Sequence, residues 1–138
     1  MRVGASFYYL SSNRDMSLHD LLMFHSHEEE VAQLLRLLIL AVSHLHGLGH
    51  VHRNLRPELV FQSNDARRPL FIVGHDYTTE VSNQNQNFGL PDNIYMIRNT
   101  SWRAGSKKPD LCALGGILMA WHVGLVKYQK EMKKKSNR

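Results

Sequence analysis

Apolar residues fall along the chain in two kinds of pattern, helical spacing and short β-favouring runs. From Glu28 to His46, Val31, Leu34, Leu35, Leu38, Val42 and Leu45 follow one another at three- and four-residue steps. That spacing puts them on one face of a long helix. Leu37, Ile39 and Leu40 widen the stripe, which predicts a helix buried on most sides. Gly47 and Gly49 end it, because glycine permits the left-handed turn after a helix. Ser17, with Asp20 three residues on, has the form of a capping box opening a short helix, and Ser26 repeats the device with Glu29. Val3 to Leu10, and the short runs 59–61 (LVF) and 70–73 (LFIV), are rich in β-favouring residues and predict strands. The polar run QSNDARRP between the last two reads as a hairpin loop, and 82–87 (SNQNQN) as a loop without an apolar anchor. From Asp110, DLCALGGILMAWHV predicts a third, very apolar helix despite Gly115 and Gly116. The expected fold class is mainly α with short β hairpins.

Composition changes this picture little. At 138 residues, with 43% hydrophobic and 21% charged residues, the chain fits one soluble globular domain. The longest apolar run, Leu37 to Val42, is far short of a membrane span, and no secretory signal is evident. A single cysteine, Cys112, rules out an internal disulfide framework and fits a reducing, intracellular compartment, cytoplasmic or nuclear. The net charge of +5 sits at one end. Lys127, Lys130, Lys133, Lys134, Lys135 and Arg138 stand against one acid, Glu131, so residues 1–126 are close to neutral. The high pI is therefore no sign of a nucleic-acid-binding domain, and no nucleic-acid partner is expected. Residues 125–138 are expected to be a disordered basic tail, either a solvated end or a signal for nuclear import, nucleic acid or an anionic membrane.

Candidate chemistry centres on LHGLGHVHRNLRPELVF, residues 45–61. It resembles the catalytic loop of eukaryotic-type protein kinases, whose pattern is H-R-D-L-K-P-E-N. His52, Arg53, Leu55, Pro57 and Glu58 match, and Arg56 replaces the Lys, which is nearer the serine/threonine branch. KPDLCALGGIL is similar to the buried helix after the activation segment, with its D-x-W-S-x-G pattern, through Asp110 and Gly115; Cys112 stands where Trp is usual. NTSWRAG resembles the end of that segment, with Gly105-Ser106 where Pro-Glu is expected. Order and spacing together cover the chain to about Gly124. The resemblance implies a kinase-like C-lobe over 1–124, lacking the N-lobe and the terminal helices.

The departures from that pattern remove the chemistry. Asn54 stands at the catalytic Asp, and an uncharged amide is no base near pH 7. Leu59 stands at a metal-binding Asn and has no oxygen for a hard cation. Gly74 aligns with the metal-binding Asp of D-F-G; a two-residue slip would instead place Asp76 there, at the cost of Gly74 and His75 in the strand's end. The resemblance thus implies an inactive homologue with no cofactor, neither ATP nor Mg²⁺ being expected to bind. It also implies that Asp110 accepts hydrogen bonds from the loop at His52 and Arg53, while Asn54 faces an open cleft. Arg53 is either a structural donor or a contact for a phosphorylated residue among Thr78, Thr79, Ser82, Thr100 and Ser101.

Other groups have plainer readings beside the sharper ones. His44, His46, His50 and His52 could suggest a metal, but nothing nearby completes a set, and structural roles fit better. Cys112 reads as core rather than as a nucleophile. Trp121 and Met119 read as packing or as an exposed patch. Three functions are compatible: a pseudokinase acting by binding a protein, such as an active kinase, its substrate or a lobe from another chain; a kinase gene remnant or splice fragment; or residual ATP-binding kinase activity.

Overall fold

The computed structural model describes residues 16–23, 28–85, 89–96 and 102–136. The predicted strand at Val3 to Leu10, the Ser26 cap, and Thr100 and Ser101 lie outside them. Among the described residues there are four α-helices: α1 (Leu18–Met23), α2 (Glu28–Gly47), α3 (Lys108–Val123) and α4 (Leu125–Ser136). The same residues include four short strands: β1 (His50–Val51), β2 (Val60–Gln62), β3 (Leu70–Ile72) and β4 (Thr79–Glu80). They pair antiparallel as two two-stranded sheets, β1 with β4 and β2 with β3. The architecture is α-helical with small antiparallel hairpin-like sheets. None of the described helices is long and apolar enough to cross a membrane.

Local sequence explains much of this. Ser17 Oγ accepts the Asp20 amide at 3.1 Å, so one otherwise unpaired donor of α1 is satisfied by its cap. Leu18, Leu21 and Leu22 then turn into the core. On α2, Val31, Leu34, Leu35, Leu38 and Val42 form the buried stripe. The wider burial expected of α2 does not occur: Ile39 and Leu40 are 45% and 65% exposed. The helix is covered on one side only, and a 100° stripe suffices for that. Strand β2 begins at Val60 rather than at Leu59, because Pro57–Leu59 forms a 3₁₀ turn. Phe61 lies opposite Phe71, their rings stacked at 5.7 Å. This cross-strand pair fixes the hairpin register.

The C-terminal basic segment differs most from expectation. Instead of a disordered tail, residues 125–136 form α4. Leu125 and Tyr128 are buried, and Met132 packs against the core. These three positions lie on one helical face, with Lys127, Lys130 and Lys134 on the opposite one. Gly124, at φ 95°, makes the turn between α3 and α4, a conformation that side chains rarely adopt. Tyr128 stacks on Tyr95 at 5.4 Å and donates to the Ile94 carbonyl at 3.0 Å. Gly116 makes the approach of α3 to this region possible, since a Cβ there would lie 2.4 Å from the Tyr95 carbonyl oxygen.

Candidate functional site

The loop after β1 is held from below by one carboxylate. Asp110, in the first turn of α3, is completely buried. Its Oδ2 accepts the His52 amide at 2.9 Å and its Oδ1 the Arg53 amide at 2.8 Å. His46 Nε2, at the end of α2, donates to the same Oδ2 at 2.7 Å. Thus one side chain joins α2, the loop and α3. Three donors around a buried carboxylate offset its desolvation and make the cluster a rigid, satisfied network.

His52 is buried beneath the loop. Its Nδ1 accepts the Asn54 amide at 3.2 Å, so Nε2 carries the proton and donates to the Val73 carbonyl at 3.0 Å. This arrangement requires a neutral ring. Burial lowers the His52 pKa below its ordinary value, against the pull of the Val73 hydrogen bond and of Asp110. The ring meets that of His75 edge-on at 5.1 Å. His75 in turn reaches the Ile72 carbonyl at 3.2 Å and Thr78 Oγ1 at 3.1 Å.

Arg53 adopts φ 74°, a left-handed backbone rare outside glycine. The paired amides of His52 and Arg53 on Asp110 hold that conformation in place. The side chain is 2% exposed, and its guanidinium approaches the carbonyls of Tyr77 and Gly89, each at 3.4 Å. Burial lowers its pKa while Asp110 opposes the shift, and arginine stays charged at neutral pH regardless. The observed contacts are those of a structural donor tying two loop segments. Thr78 and Thr79 bond to His75 and Asn83, and Ser82 donates to Glu80.

Asn54 does not face an open cleft as expected. It is half-buried, and its Oδ1 accepts Asn93 Nδ2 at 3.1 Å. The same Nδ2 reaches the Leu55 carbonyl at 2.8 Å, so Asn93 clamps the loop from the opposite side. Arg56 forms a local pair with Glu58 at 2.8 Å, both partners about one-third exposed.

Leu59 and Gly74, far apart in sequence, meet directly. A Cβ on Gly74 would lie 2.7 Å from Leu59 Cδ1, and Gly74 has φ 76°. A carboxylate-bearing residue at 74 would therefore be strained in its backbone and would displace Leu59. Asp76 is exposed in the 3₁₀ turn His75–Tyr77. Gly115 is exposed on α3, five residues beyond Asp110 and outside the Asp110 cluster.

The remaining candidates separate. His46 and His52 are engaged as described, whereas His44 and His50 are exposed. Among the described residues no group of three or more His, Cys, Asp or Glu is placed to hold a metal ion. Cys112 is not core as predicted; it is half-exposed, because α3 buries only the side bearing Ala113, Ile117 and Ala120. Sequence reasoning missed three participants: His46 as a ligand of Asp110, His75 beside His52, and Asn93 on Asn54. None has a local signal, since each acts across 21 or more residues or through a ring contact. No family model matches the sequence.

Proposed function

We propose that this protein is a catalytically inactive, protein-kinase-like domain that acts by binding another protein. The observation that carries the reading is the state of three positions that the resemblance aligns with reactive groups. Asn54 spends its amide oxygen on Asn93. Leu59 and Gly74 face each other as an apolar contact where two metal ligands would be needed. Phosphoryl transfer depends on metals and cations that neutralise charge and on a positioned base. An amide, an isobutyl group and a hydrogen atom provide none of these. What supports a retained scaffold is the cluster of Asp110 with His46, His52 and Arg53, which orders the loop without needing a ligand.

The test is titration with ATP and Mg²⁺ at millimolar concentration, read as a thermal shift, together with labelled-phosphate transfer by Asn54→Asp. No saturable shift and no transfer are expected. A saturable shift that requires the metal would overturn the reading and favour the register with Asp76 as ligand. Transfer by the single variant would show that one missing group was all that silenced the site.

A further inference from the structure

The outward side of α3 is apolar. Leu111, Met119 and Val123 are 56, 51 and 38% exposed, and with Gly115 they form one ridge at four-residue steps. The ridge has a gap at Gly115, where a Cβ would meet nothing within 4 Å. No packing within the described residues requires glycine there, and glycine inside a helix is otherwise a cost. Beyond Val123 the ridge opens into a depression of about 370 Å³ lined by Val123, Gly124, Val126, Lys127 and Lys130. At its other end stand Lys107 and Lys108, both exposed. An apolar face of this extent marks an interaction surface, and the charge at its ends identifies the kind of partner.

We propose that this face binds an acidic amphipathic helix of a partner protein. The partner lays its apolar stripe along the ridge, seats one side chain over Gly115, and presents carboxylates in its first and last turns. From Lys108 to Val123 the axis runs roughly 22 Å, so about four helical turns span the two basic ends. A second copy of this chain is a poor occupant. Of the two acids in α3 and α4, Asp110 is buried and Glu131 lies 3.8 Å from Lys134. Two such faces together would therefore bring lysines against lysines. The inference deepens the binding reading above by giving the partner its chemistry.

The experiment uses the full chain and a fluorescein-labelled, 16-residue helical peptide with a Leu/Ala stripe and two Glu in each terminal turn. Anisotropy should show saturable binding in a one-to-one ratio. Met119→Glu, Gly115→Leu and the double variant Lys127→Glu/Lys130→Glu should each weaken it at least tenfold. All four positions are exposed, and denaturation midpoints no lower than the parent's establish that the variants remain folded. A peptide with Lys in place of Glu should not saturate. The proposal is overturned if the acidic peptide fails to bind, or if Met119→Glu binds it as well as the parent does. It is also overturned if the face instead mediates self-association in sedimentation, or binding to anionic phospholipid vesicles without binding the peptide. None of these outcomes restores phosphotransfer, and a metal-dependent ATP shift would leave this face untouched, so the two readings fail separately.

Discussion

Replacing Asp110 with Ala removes the acceptor of three buried or nearly buried donors at once: the amides of His52 and Arg53 and the ring of His46. Each buried donor left unsatisfied costs about 1–3 kcal/mol. The three share one site, so the losses do not add fully. Taken together they amount to about 3–5 kcal/mol, in the lower half of the about 3–9 kcal/mol that three independent losses would give. A domain of this size has only about 5–15 kcal/mol in total. Arg53 makes the loss worse, because its left-handed backbone is held by one of these bonds. Asn54→Ala removes one neutral, half-buried hydrogen bond, and Asn93 keeps its second acceptor at Leu55. That loss is about 0.5–1.5 kcal/mol. With a urea slope of about 2 kcal/mol/M, Asp110→Ala should lower the midpoint by about 1.5–2.5 M and Asn54→Ala by well under 1 M. Far-UV circular dichroism in urea measures both. Equal midpoints, or a larger loss for Asn54→Ala, would refute the idea that one carboxylate joins α2, the loop and α3.

Two further outcomes follow from the same geometry. Gly116→Ala places a Cβ 2.4 Å from the Tyr95 carbonyl oxygen and should destabilise by about 1–3 kcal/mol, whereas Gly115→Ala fills open space and should stabilise by about 0.5–1 kcal/mol. Thermal denaturation of the pair checks this, and a like sign for both would count against the placement of α3. Stability should also fall on both sides of neutrality. Burial lowers the His52 pKa from an ordinary 6.5, so below about that pH the unfolded chain takes a proton that the folded chain resists, and stability drops as pH falls. Burial, with the charge of Glu58 as a second cause, pushes Tyr95 up to about 12, so between pH 10 and 12 the unfolded chain loses a proton that the folded chain keeps, and stability drops as pH rises. Ring-nitrogen resonances of His52 titrating at or above 6.5, or a Tyr95 ionisation with its midpoint at or below pH 10, would contradict the respective limb.

The elements that depend on neighbours in the chain were legible in the sequence. The Ser17 cap, the α2 stripe from Val31 to Val42, the hairpin of β2 and β3, and most of α3 follow from periods of 3.6 and 2 and from short-range hydrogen bonds. The pairing of Asp110 with His52 and Arg53 was expected only through the order of motifs, since 57 and 58 residues separate the partners. Tertiary structure alone decided the rest. In α4, a run of lysines masks Leu125, Tyr128 and Met132, whose spacing becomes a helix face only once a core exists to receive it. Strands of two residues, such as β1 and β4, have no pattern of their own; they exist because the chain returns Thr79 to Val51. Asn54 looked free because Asn93 lies 39 residues away. Whether Leu59 and Gly74 stand apart or meet in one apolar contact depends on the turn that brings β3 back along β2. Hydrophobic periodicity fixes which face of an element is buried, but which distant polar group meets it is set by packing, and packing is not local.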